Sequence, residues 1–335
     1  MPDEARPRIV TTASHWGSYE IETIDGRISA VRSASEDPDP SPIGQSFRDA
    51  TDHPSRVRAP MVREGFLMRG PGSTHGRGAE VFVEVSWDEA LDLVARELAR
   101  VRGAFGNEAI FAGSYGWASA GRFHHAQSQL RRFINLHGGH VFHRNSYSLG
   151  AAHVILPHIV GSLSDVFDQH TPWDVIAEHG QLVVAFGGLA LKNAQVNAGG
   201  VGRHTAAGSM RRAKANGVGF VNVSPLAEDV PAELAPEWLA IVPNTDTAMM
   251  LGLAHTLVSE DLHDRDFLAR CCVGYERFQP YLMGESDGTP KDADWAAAIC
   301  GIPAETIRAL ARRMARSRTL VTVAWSLQRA DHGEQ

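Results

Sequence analysis

Cysteine is scarce in this chain, with three residues among 335. Cys271 and Cys272 are adjacent, and Cys300 stands far from both. This number and spacing match neither an iron–sulfur cluster site nor a structural zinc site, which need sets of suitably spaced ligands. Buried, reduced thiols are the simpler interpretation. We therefore expect neither kind of centre.

Excess positive charge and long apolar runs are lacking as well. The net charge is −7, whereas nucleic-acid-binding proteins normally carry a basic face. No apolar run approaches the roughly 20 residues that a transmembrane helix needs. The first eight residues, M-P-D-E-A-R-P-R, contain neither the apolar segment nor the arginine pair of an export signal. The sequence predicts no nucleic-acid partner, no membrane span and a cytoplasmic location.

The first sixty residues have the pattern of β structure. Tyr19, Ile21 and Thr23 alternate with polar residues up to Asp25-Gly26, a dipeptide that favours a hairpin turn. Residues 36–58 are rich in proline, serine and aspartate, which predicts a long surface loop. A helix with a Ser86/Glu89 capping box is expected further on, since S-x-x-E before a helical apolar pattern marks a helix start.

Beyond residue 173 strand-like and helix-like segments alternate. The predicted strands are 182–186, 218–223, 239–242 and 320–324, and the predicted helices include 209–215, 248–257 and 306–315. Such alternation indicates a parallel sheet covered by helices on both faces. The predicted fold class is therefore α/β, with a small β-rich N-terminal region followed by α/β domains that contain a largely parallel, doubly wound sheet. Ligands of such sheets bind beyond the carboxyl ends of the strands.

The predicted strand ends carry side chains suited to a nucleotide. Lys192, Asn193 and Arg329 suit phosphate oxygens, and Asp246 can accept hydrogen bonds from a guanine edge or a ribose hydroxyl. The fingerprint G-x-G-x-x-G does not follow the first strand, so the usual nicotinamide site is missing. Simple turns with solvated charges would explain any one of the loops after the four predicted strands. They are a poor explanation for all four together.

The stretch from Gly113 to Gly150 contains two further loops of unusual composition. One reads G-S-Y-G-W-A-S-A-G-R and carries Tyr115 and Trp117, while residues 145–150 read N-S-Y-S-L-G. Glycine lets the backbone approach a ligand closely, and the polar tips of large aromatic side chains usually need a partner when buried. We expect these two loops to form the walls of one polar pocket.

Two motifs in this stretch resemble those of the dimethyl sulfoxide reductase family of molybdenum enzymes, in its branch of single-subunit S- and N-oxide reductases. They are S-Y-G-W-x-S-x-G-R and S-Y-S-x-G-A-A-x-V-I-x-P-x-x-V-G. The resemblance extends from T-T-A-S-H-W-G near the start to W-S-L-Q-R-A-D-H-G-E-Q at the end. Many spaced motifs in the same order are far more specific than one.

The resemblance implies molybdenum held by bis(molybdopterin guanine dinucleotide), with a serine side chain as a further ligand. The matching position is Ser148, and Ser146 is the nearest alternative. An alkoxide oxygen suits high-valent molybdenum because it is a hard donor. Tyr115 and Trp117 match the aromatic pair that hydrogen-bonds the oxygen being transferred. These three residues are the expected catalytic side chains, with Ser148 also the metal ligand.

The resemblance also assigns residues to the rest of the cofactor. His15 and Trp16 would lie beside it, and the strand-end loops would hold its guanosine and pyrophosphate portions. The expected cofactor-binding residues are His15, Trp16, Gly116, Lys192, Asn193, Ser224, Pro225, Asp246, Trp325, Gln328 and Arg329.

The implied function is reduction of a small S-oxide or N-oxide by oxygen-atom transfer. Relatives with an iron–sulfur cluster carry cysteines near the N-terminus, where this chain has T-A-S-H-W-G, so electrons are expected from an external donor. The chain departs from the family pattern at Asn145-Ser146, where relatives commonly have Gly-Asp, and at Ser224. These departures leave the particular substrate open.

Family enzymes continue well past the last residue of this sequence. We therefore expect residues 1–60 to form a β-rich region, 61–160 to begin a catalytic α/β domain with the metal-site loops, and 161–335 to form a truncated Rossmann-like nucleotide-binding domain. A missing C-terminal portion or partner chain is expected. The alternative is a truncated, non-catalytic remnant or partial cofactor-binding module. An unrelated nucleotide-binding dehydrogenase would explain the second half but not the motifs around Tyr115 and Ser148.

Overall fold

The computed structural model describes residues 7–113, 125–146 and 148–335. The chain forms two compact units, Met1–Arg144 with Val196–Arg203, and Asn145–Gln195 with His204–Gln335. The helices and strands of the first unit are β1 (Arg8–Ser14), β2 (Gly17–Ile24), β3 (Arg27–Ser33), α1 (Phe47–Ala50), β4 (Met61–Arg63), α2 (Glu64–Arg69), β5 (Phe82–Glu84), α3 (Trp87–Phe105) and α4 (Ala126–Leu136).

The predicted N-terminal hairpin is confirmed. Strands β1, β2 and β3 form one antiparallel sheet in that order, and the β2–β3 turn has Asp25 at φ 51° and Gly26 at φ 74°. Aspartate and glycine tolerate this left-handed conformation, which matches the twist of the paired strands. Tyr19, Ile21 and Val31 are the buried hydrophobic residues of this sheet.

The long surface loop predicted for residues 36–58 is only partly correct, because a 3-10 turn at Pro42–Ser46 and α1 lie within it. The segment is held by the buried side chain of Tyr19. The Tyr19 hydroxyl donates to the carbonyl oxygens of Trp16 and Ser41, both at 3.0 Å. The ring of Phe47 meets Tyr19 edge-on at 5.8 Å. The composition of residues 36–58 does not reveal this structure, because its anchor, Tyr19, lies outside the segment on strand β2.

Helix α3 begins as the sequence predicts but packs less than expected. Ser86 Oγ accepts a hydrogen bond from the Glu89 backbone N–H at 3.1 Å, which is one half of the predicted capping box. None of the helix's residues is buried, and the side chains of Leu91 and Val94 are 60% and 54% exposed. The apolar stripe of α3 is therefore uncovered within the described residues.

The second unit contains the predicted α/β domain. Its helices and strands are α5 (Gly150–Ile155), α6 (Leu163–Asp168), α7 (Trp173–His179), β6 (Leu182–Phe186), α8 (Leu191–Ala194), α9 (Ala206–Ala215), β7 (Gly219–Val223), β8 (Glu237–Leu239), α10 (Asp246–Ser259), α11 (Arg265–Cys271), α12 (Tyr275–Leu282), α13 (Ala293–Cys300), α14 (Ala304–Ala315) and β9 (Thr319–Val323).

A four-stranded parallel sheet forms the centre of this unit, in the order β8-β7-β6-β9. Alternate side chains of β6 point to opposite faces. Val184 and Phe186 pack with helices α10, α13 and α14, while Val183 and Ala185 pack with α7 and α9. This arrangement confirms the predicted α/β class with helices on both faces of a parallel sheet.

The third predicted strand is displaced from its observed position. The sequence pattern indicated 239–242, whereas β8 spans Glu237–Leu239. The chain leaves the sheet after Leu239, because the Val242 backbone N–H donates instead to the carbonyl oxygen of Cys300 at 3.0 Å. Val242 is itself exposed, so its apolar character does not report a strand position.

The cysteines are only partly as expected. Cys300 is buried at the end of α13, but Cys271 and Cys272 are exposed at the end of α11, so the prediction of buried thiols is wrong for this pair. Helix α11 has no buried residues, which explains their exposure.

No helix in the described part of the chain combines the length and apolar character needed to cross a membrane.

Candidate functional site

The parallel sheet has a topological switch point between β6 and β9. Strands β6, β7 and β8 run outward in sequence order, whereas β9 returns to pair with the other side of β6. In open α/β sheets, ligands bind beyond the carboxyl ends of the strands at such a point. The candidate site of the second unit is therefore the edge formed by the residues that follow Phe186 and Val323.

Two consecutive glycines follow β6 at this edge. Gly187 and Gly188 both have φ of 80°, a conformation that side chains with a Cβ rarely adopt. A Cβ on Gly187 would lie 2.7 Å from the Ala324 Cβ, and one on Gly188 would lie 2.7 Å from the Asp229 carbonyl oxygen. Glycine is thus required because the loops after β6, β7 and β9 meet here.

The backbone of Ser148 is bound to the end of β9. Its carbonyl oxygen accepts hydrogen bonds from Gln328 Nε2 at 2.8 Å and from Arg329 Nε at 2.9 Å. Both donors belong to the short 3-10 turn Leu327–Arg329 that follows β9. The loop that carries the predicted metal ligand therefore lies at the carboxyl edge of the sheet, beside the switch point.

Gln328 makes further contacts with backbone groups around this loop. Its Nε2 also donates to the Trp325 carbonyl oxygen at 2.9 Å, and its Oε1 accepts from the Ala152 N–H at 3.4 Å. The Trp325 ring lies 5.4 Å from the ring of Phe167. The sequence marked Trp325, Gln328 and Arg329 as cofactor contacts but did not reveal that two of them hold the Ser148 loop.

Asn145 shapes the start of the same loop. Its φ is 68°, and its Oδ1 accepts from the Ser146 N–H at 3.2 Å while its Nδ2 donates to the Gly150 carbonyl oxygen at 3.4 Å. Asparagine tolerates the left-handed region better than other non-glycine residues. The departure from the glycine common in relatives is therefore conformationally conservative.

The Ser224 side chain makes hydrogen bonds within its own loop. Ser224 is 1% exposed, its Oγ donates to the Asp229 carboxylate at 2.5 Å, and the same oxygen accepts from the Leu226 N–H at 3.3 Å. The Asp229 carbonyl oxygen accepts from the Leu189 N–H at 2.7 Å, which joins this loop to the one after β6. Pro225 is exposed, so a ligand would meet the loop's outer surface.

The sequence did not reveal a role for Asp229. Its importance for the Ser224 loop comes only from its position in a turn. The 3-10 turn Ala227–Asp229 brings the carboxylate back onto Ser224. A spacing of five residues has no regular helical or strand meaning, so no periodicity pointed to this pair.

The remaining predicted residues of this edge differ in exposure. Lys192 and Asn193 are exposed on the short helix α8. Asp246 is the first residue of α10 and is partly buried, and this burial raises the pKa of its carboxyl group. Asn244, two residues before Asp246, donates from Nδ2 to the Asp331 carbonyl oxygen at 2.9 Å. This hydrogen bond joins the β8–α10 loop to the segment after β9.

His15 and Trp16 belong to the first unit, in the turn between β1 and β2. The Trp16 indole Nε1 is buried and has no hydrogen-bond partner in the described part of the chain. The His15 carbonyl oxygen accepts from the Asn197 N–H at 2.9 Å. A buried, unpaired N–H is costly, so Trp16 offers a donor suited to an acceptor that the described residues do not supply.

The remaining predicted residues cannot be placed. Tyr115, Gly116 and Trp117 lie outside the described residues, so their predicted roles rest on the sequence alone.

Residues 56–335 match the family model described as molybdopterin oxidoreductase, and residues 12–52 match that of the molybdopterin oxidoreductase N-terminal domain. The chain is 51% identical over 306 residues to the biotin sulfoxide reductase of Cereibacter sphaeroides, covering 91% of this chain and 41% of that protein. It is 43% identical to the dimethyl sulfoxide/trimethylamine N-oxide reductase of Rhodobacter capsulatus, covering 97% and 40%. It is 41% identical to trimethylamine-N-oxide reductase 1 of Escherichia coli K12, covering 97% and 39%.

Among solved structures, acetylene hydratase from Pelobacter acetylenicus has a similar fold, with a TM-score of 0.58 at 21% identity over 95% of this chain and 40% of that one. The chain thus spans about 40% of the length of the relatives that it matches. The family model nevertheless runs through most of the sequence, from residue 56 to residue 335. By this match, the chain belongs to the molybdopterin oxidoreductase family.

Proposed function

We propose that this chain is part of a molybdenum-dependent oxidoreductase that reduces S-oxides or N-oxides by oxygen-atom transfer. Family membership implies molybdenum with a molybdopterin cofactor, and the relatives named above are sulfoxide and N-oxide reductases. The observation that carries the proposal is the attachment of the Ser148 loop to the end of β9. It supports the proposal because Ser148, the proposed oxygen ligand, would then lie at the edge of the sheet where ligands of this fold bind.

The described residues fit a cofactor with pterin and nucleotide portions. In the first unit, Trp16 offers a buried N–H donor without a partner among the described residues, which suits a ring or phosphate oxygen. Lys192 and Asn193 are exposed beyond β6, where their donors can bind phosphate oxygens. Asp246 can accept hydrogen bonds from a guanine edge or a ribose hydroxyl. We propose the bis(molybdopterin guanine dinucleotide) form because the sequence motifs resemble those of the dimethyl sulfoxide reductase family.

The chain's own contribution to the reaction is positioning and hydrogen bonding. When bound, the cofactor supplies two-electron chemistry at molybdenum. Ser148 would give up its hydroxyl proton and bind the metal through Oγ, a hard oxygen donor. Tyr115 and Trp117 would donate hydrogen bonds to the substrate oxygen, where charge develops during the transfer.

The complete activity is proposed for this chain together with a C-terminal portion or partner chain. More than half of the length of these relatives lies outside the matched region. A partial module that binds one nucleotide portion without turnover is the second candidate, favoured by the single parallel sheet of the described structure. The external electron donor and the cytoplasmic location remain predictions.

Metal and pterin content of the purified protein tests the proposal. We expect about one molybdenum per chain in the complete protein, as a single metal centre requires. Folded protein with neither molybdenum nor pterin would contradict the enzyme and favour the partial module. Size-exclusion chromatography of the isolated chain, with the same metal assay, tests the partner. A monodisperse monomer that carries molybdenum and reduces a sulfoxide would refute the need for one.

Ser148→Ala tests the ligand. In the molybdenum-bearing protein we expect this change to abolish reductase activity and to alter the molybdenum absorption spectrum, because it removes the ligating oxygen. Ser146→Ala, two residues away in the same loop, is the matched control and should leave the spectrum unchanged. The opposite pattern would move the ligand to Ser146.

A further inference from the structure

We propose that Gln328 and Arg329 are positioning residues that set the place of Ser148 at the metal, rather than being only contacts to the cofactor. The inference rests on the proposed function for the identity of Ser148 as a ligand. The hydrogen bonds to its backbone are independent of that identity. A test can therefore separate the two.

The first step is the saturation of one carbonyl oxygen. A backbone carbonyl oxygen has two lone pairs, and at Ser148 it accepts from both Gln328 Nε2 and Arg329 Nε. One of these donors is charged, which makes its hydrogen bond stronger than a neutral one. Two donors from different side chains fix the direction of the carbonyl group and hence the plane of the peptide that follows Ser148.

The second step is the chemistry of the Gln328 amide. Its nitrogen donates to two carbonyl oxygens, those of Ser148 and Trp325, while its oxygen accepts from the Ala152 N–H. A reversed amide would turn its oxygen toward both carbonyl oxygens, so the observed orientation is the only one that satisfies all three backbone groups. Glutamine meets this requirement, whereas an ionised glutamate at the same position does not.

The third step connects the backbone to the ligand. The carbonyl carbon and the Cβ of Ser148 are bonded to the same Cα, so fixing the peptide restricts where Oγ can lie. Functional side chains need placement within about 0.5 Å, and sites supported by regular elements achieve this better than sites on free loops. Gln328 and Arg329 follow β9, whose five residues are paired in register with β6. The sheet thereby provides the reference for the Ser148 loop.

Gln328→Ala tests the clamp without any metal. The change removes both donors of the amide and its acceptor, so we expect backbone amides of residues 148–152 to exchange with deuterium at least about tenfold faster, since one hydrogen bond corresponds to a factor of roughly ten. Gln181→Ala is the matched control. Gln181 Oε1 accepts from the Arg318 N–H at 2.8 Å at the opposite end of the same two strands. That control should leave exchange at 148–152 unchanged.

Gln328→Glu adds a readout that general destabilisation would not give. An ionised carboxylate turns acceptors toward the Ser148 and Trp325 carbonyl oxygens, where the amide nitrogen of Gln328 donates, and keeps an oxygen for the Ala152 N–H. In the molybdenum-bearing protein we therefore expect Gln328→Glu to alter the metal absorption spectrum. The Gln181→Glu control keeps an acceptor for the Arg318 N–H and should leave the spectrum unchanged.

Three outcomes decide the proposal. Faster exchange at 148–152 in Gln328→Ala together with an altered metal absorption spectrum in Gln328→Glu supports it. Unchanged exchange in Gln328→Ala overturns the clamp, and faster exchange with an unaltered spectrum overturns its role in positioning the ligand. If Ser148→Ala also leaves the spectrum unaltered, the proposed function fails at the ligand, while the exchange data still report the clamp.

Discussion

Helices α3 and α10 both carry leucine and valine at helical spacing, yet they bury these side chains to very different extents. In α10, Met249 and Leu253 belong to a core shared with α13 and α14. Gly252 lies so close to α13 that a Cβ would stand 2.7 Å from the Cβ of Ala296. In α3, by contrast, Leu91 and Val94 are exposed, and none of its 19 residues is buried. Periodicity therefore predicts each helix and its apolar side, but not whether that side is buried against other residues.

The difference has an energetic counterpart. Helices in proteins derive most of their stability from packing an apolar face. Within the described residues, α10 has that packing, whereas α3 has no buried residue; its contacts include its cap, the Arg100–Glu97 ion pair at 2.6 Å and a hydrogen bond from Arg102 to the His137 carbonyl oxygen. The four predictions that follow test this contrast by segment-resolved hydrogen exchange and by denaturant unfolding, in order of expected effect.

The largest effect is expected for Leu253→Ala in α10. Leu253 is 4% exposed, and removal of a buried leucine side chain leaves a cavity that costs about 2–5 kcal/mol. Denaturant unfolding of the second unit, followed through exchange of α10 amides, measures it. A loss below about 1 kcal/mol would show that α10 is packed far more loosely than its core contacts indicate.

Ser86→Ala should have the next largest effect, confined to α3. It removes the bond from the Glu89 N–H to the capping oxygen, and loss of such a cap costs about 1 kcal/mol. Asp292→Ala is the matched control in the second unit, because Asp292 Oδ1 caps α13 through the Trp295 N–H at 2.8 Å. We expect Ser86→Ala to raise exchange along more of its helix than Asp292→Ala does. Equal spread in both would remove the contrast.

Asp246→Asn should change the pH dependence of the second unit. Burial raises the pKa of Asp246 above 3.8 in the folded state, so the folded state binds the proton more tightly than the unfolded state does. Stability is therefore lost as pH rises from the unfolded pKa through the folded pKa and stays constant above it. The asparagine variant lacks this loss and should gain relative to the original protein across that window. Parallel pH profiles of the two proteins would disprove the assignment.

The smallest effect is expected for Leu91→Ala in α3, which repeats the chemistry of the first prediction at an exposed site. Substitutions of this kind away from a core usually change stability by no more than about 0.5 kcal/mol, and the higher helix propensity of alanine offsets part of any loss. Denaturant unfolding of the isolated chain measures it. A cost near that of Leu253→Ala would mean that the α3 stripe is covered in solution.

The same contrast explains what could be predicted from the sequence. Strand β6 was predicted with its observed bounds because five consecutive apolar residues, LVVAF, are buried on both faces of a parallel sheet. The strand predicted at 239–242 was displaced because Val242 is apolar yet exposed. The loop prediction for residues 36–58 is only partly correct, because the 3-10 turn and α1 within them are anchored by Tyr19, which lies on strand β2. Local pattern succeeds where burial is continuous and fails where a distant contact decides.

The candidate site divides in the same way. The fold rule predicts Lys192, Asp246 and the residues after β9 at one edge of the sheet, and in the structure they follow the carboxyl ends of β6, β8 and β9. Their roles as cofactor contacts stay predictions. The tasks of Gln328 and Ser224 were not predictable. Each depends on which backbone group or carboxylate stands opposite, and for Gln328 that group is 180 residues away in the sequence.

The separation between Ser148 and Gln328 also sets an order of events during synthesis. A chain that has emerged from the ribosome only as far as β8 already contains Ser148, β6 and β7, but it lacks β9. One edge of β6 and the Ser148 carbonyl oxygen therefore lack the hydrogen bonds that β9 and Gln328 provide. Contacts so distant in sequence form late. The loop is therefore held in place only after Gln328 has been translated, and insertion of the proposed cofactor beside Ser148 would have to follow that moment.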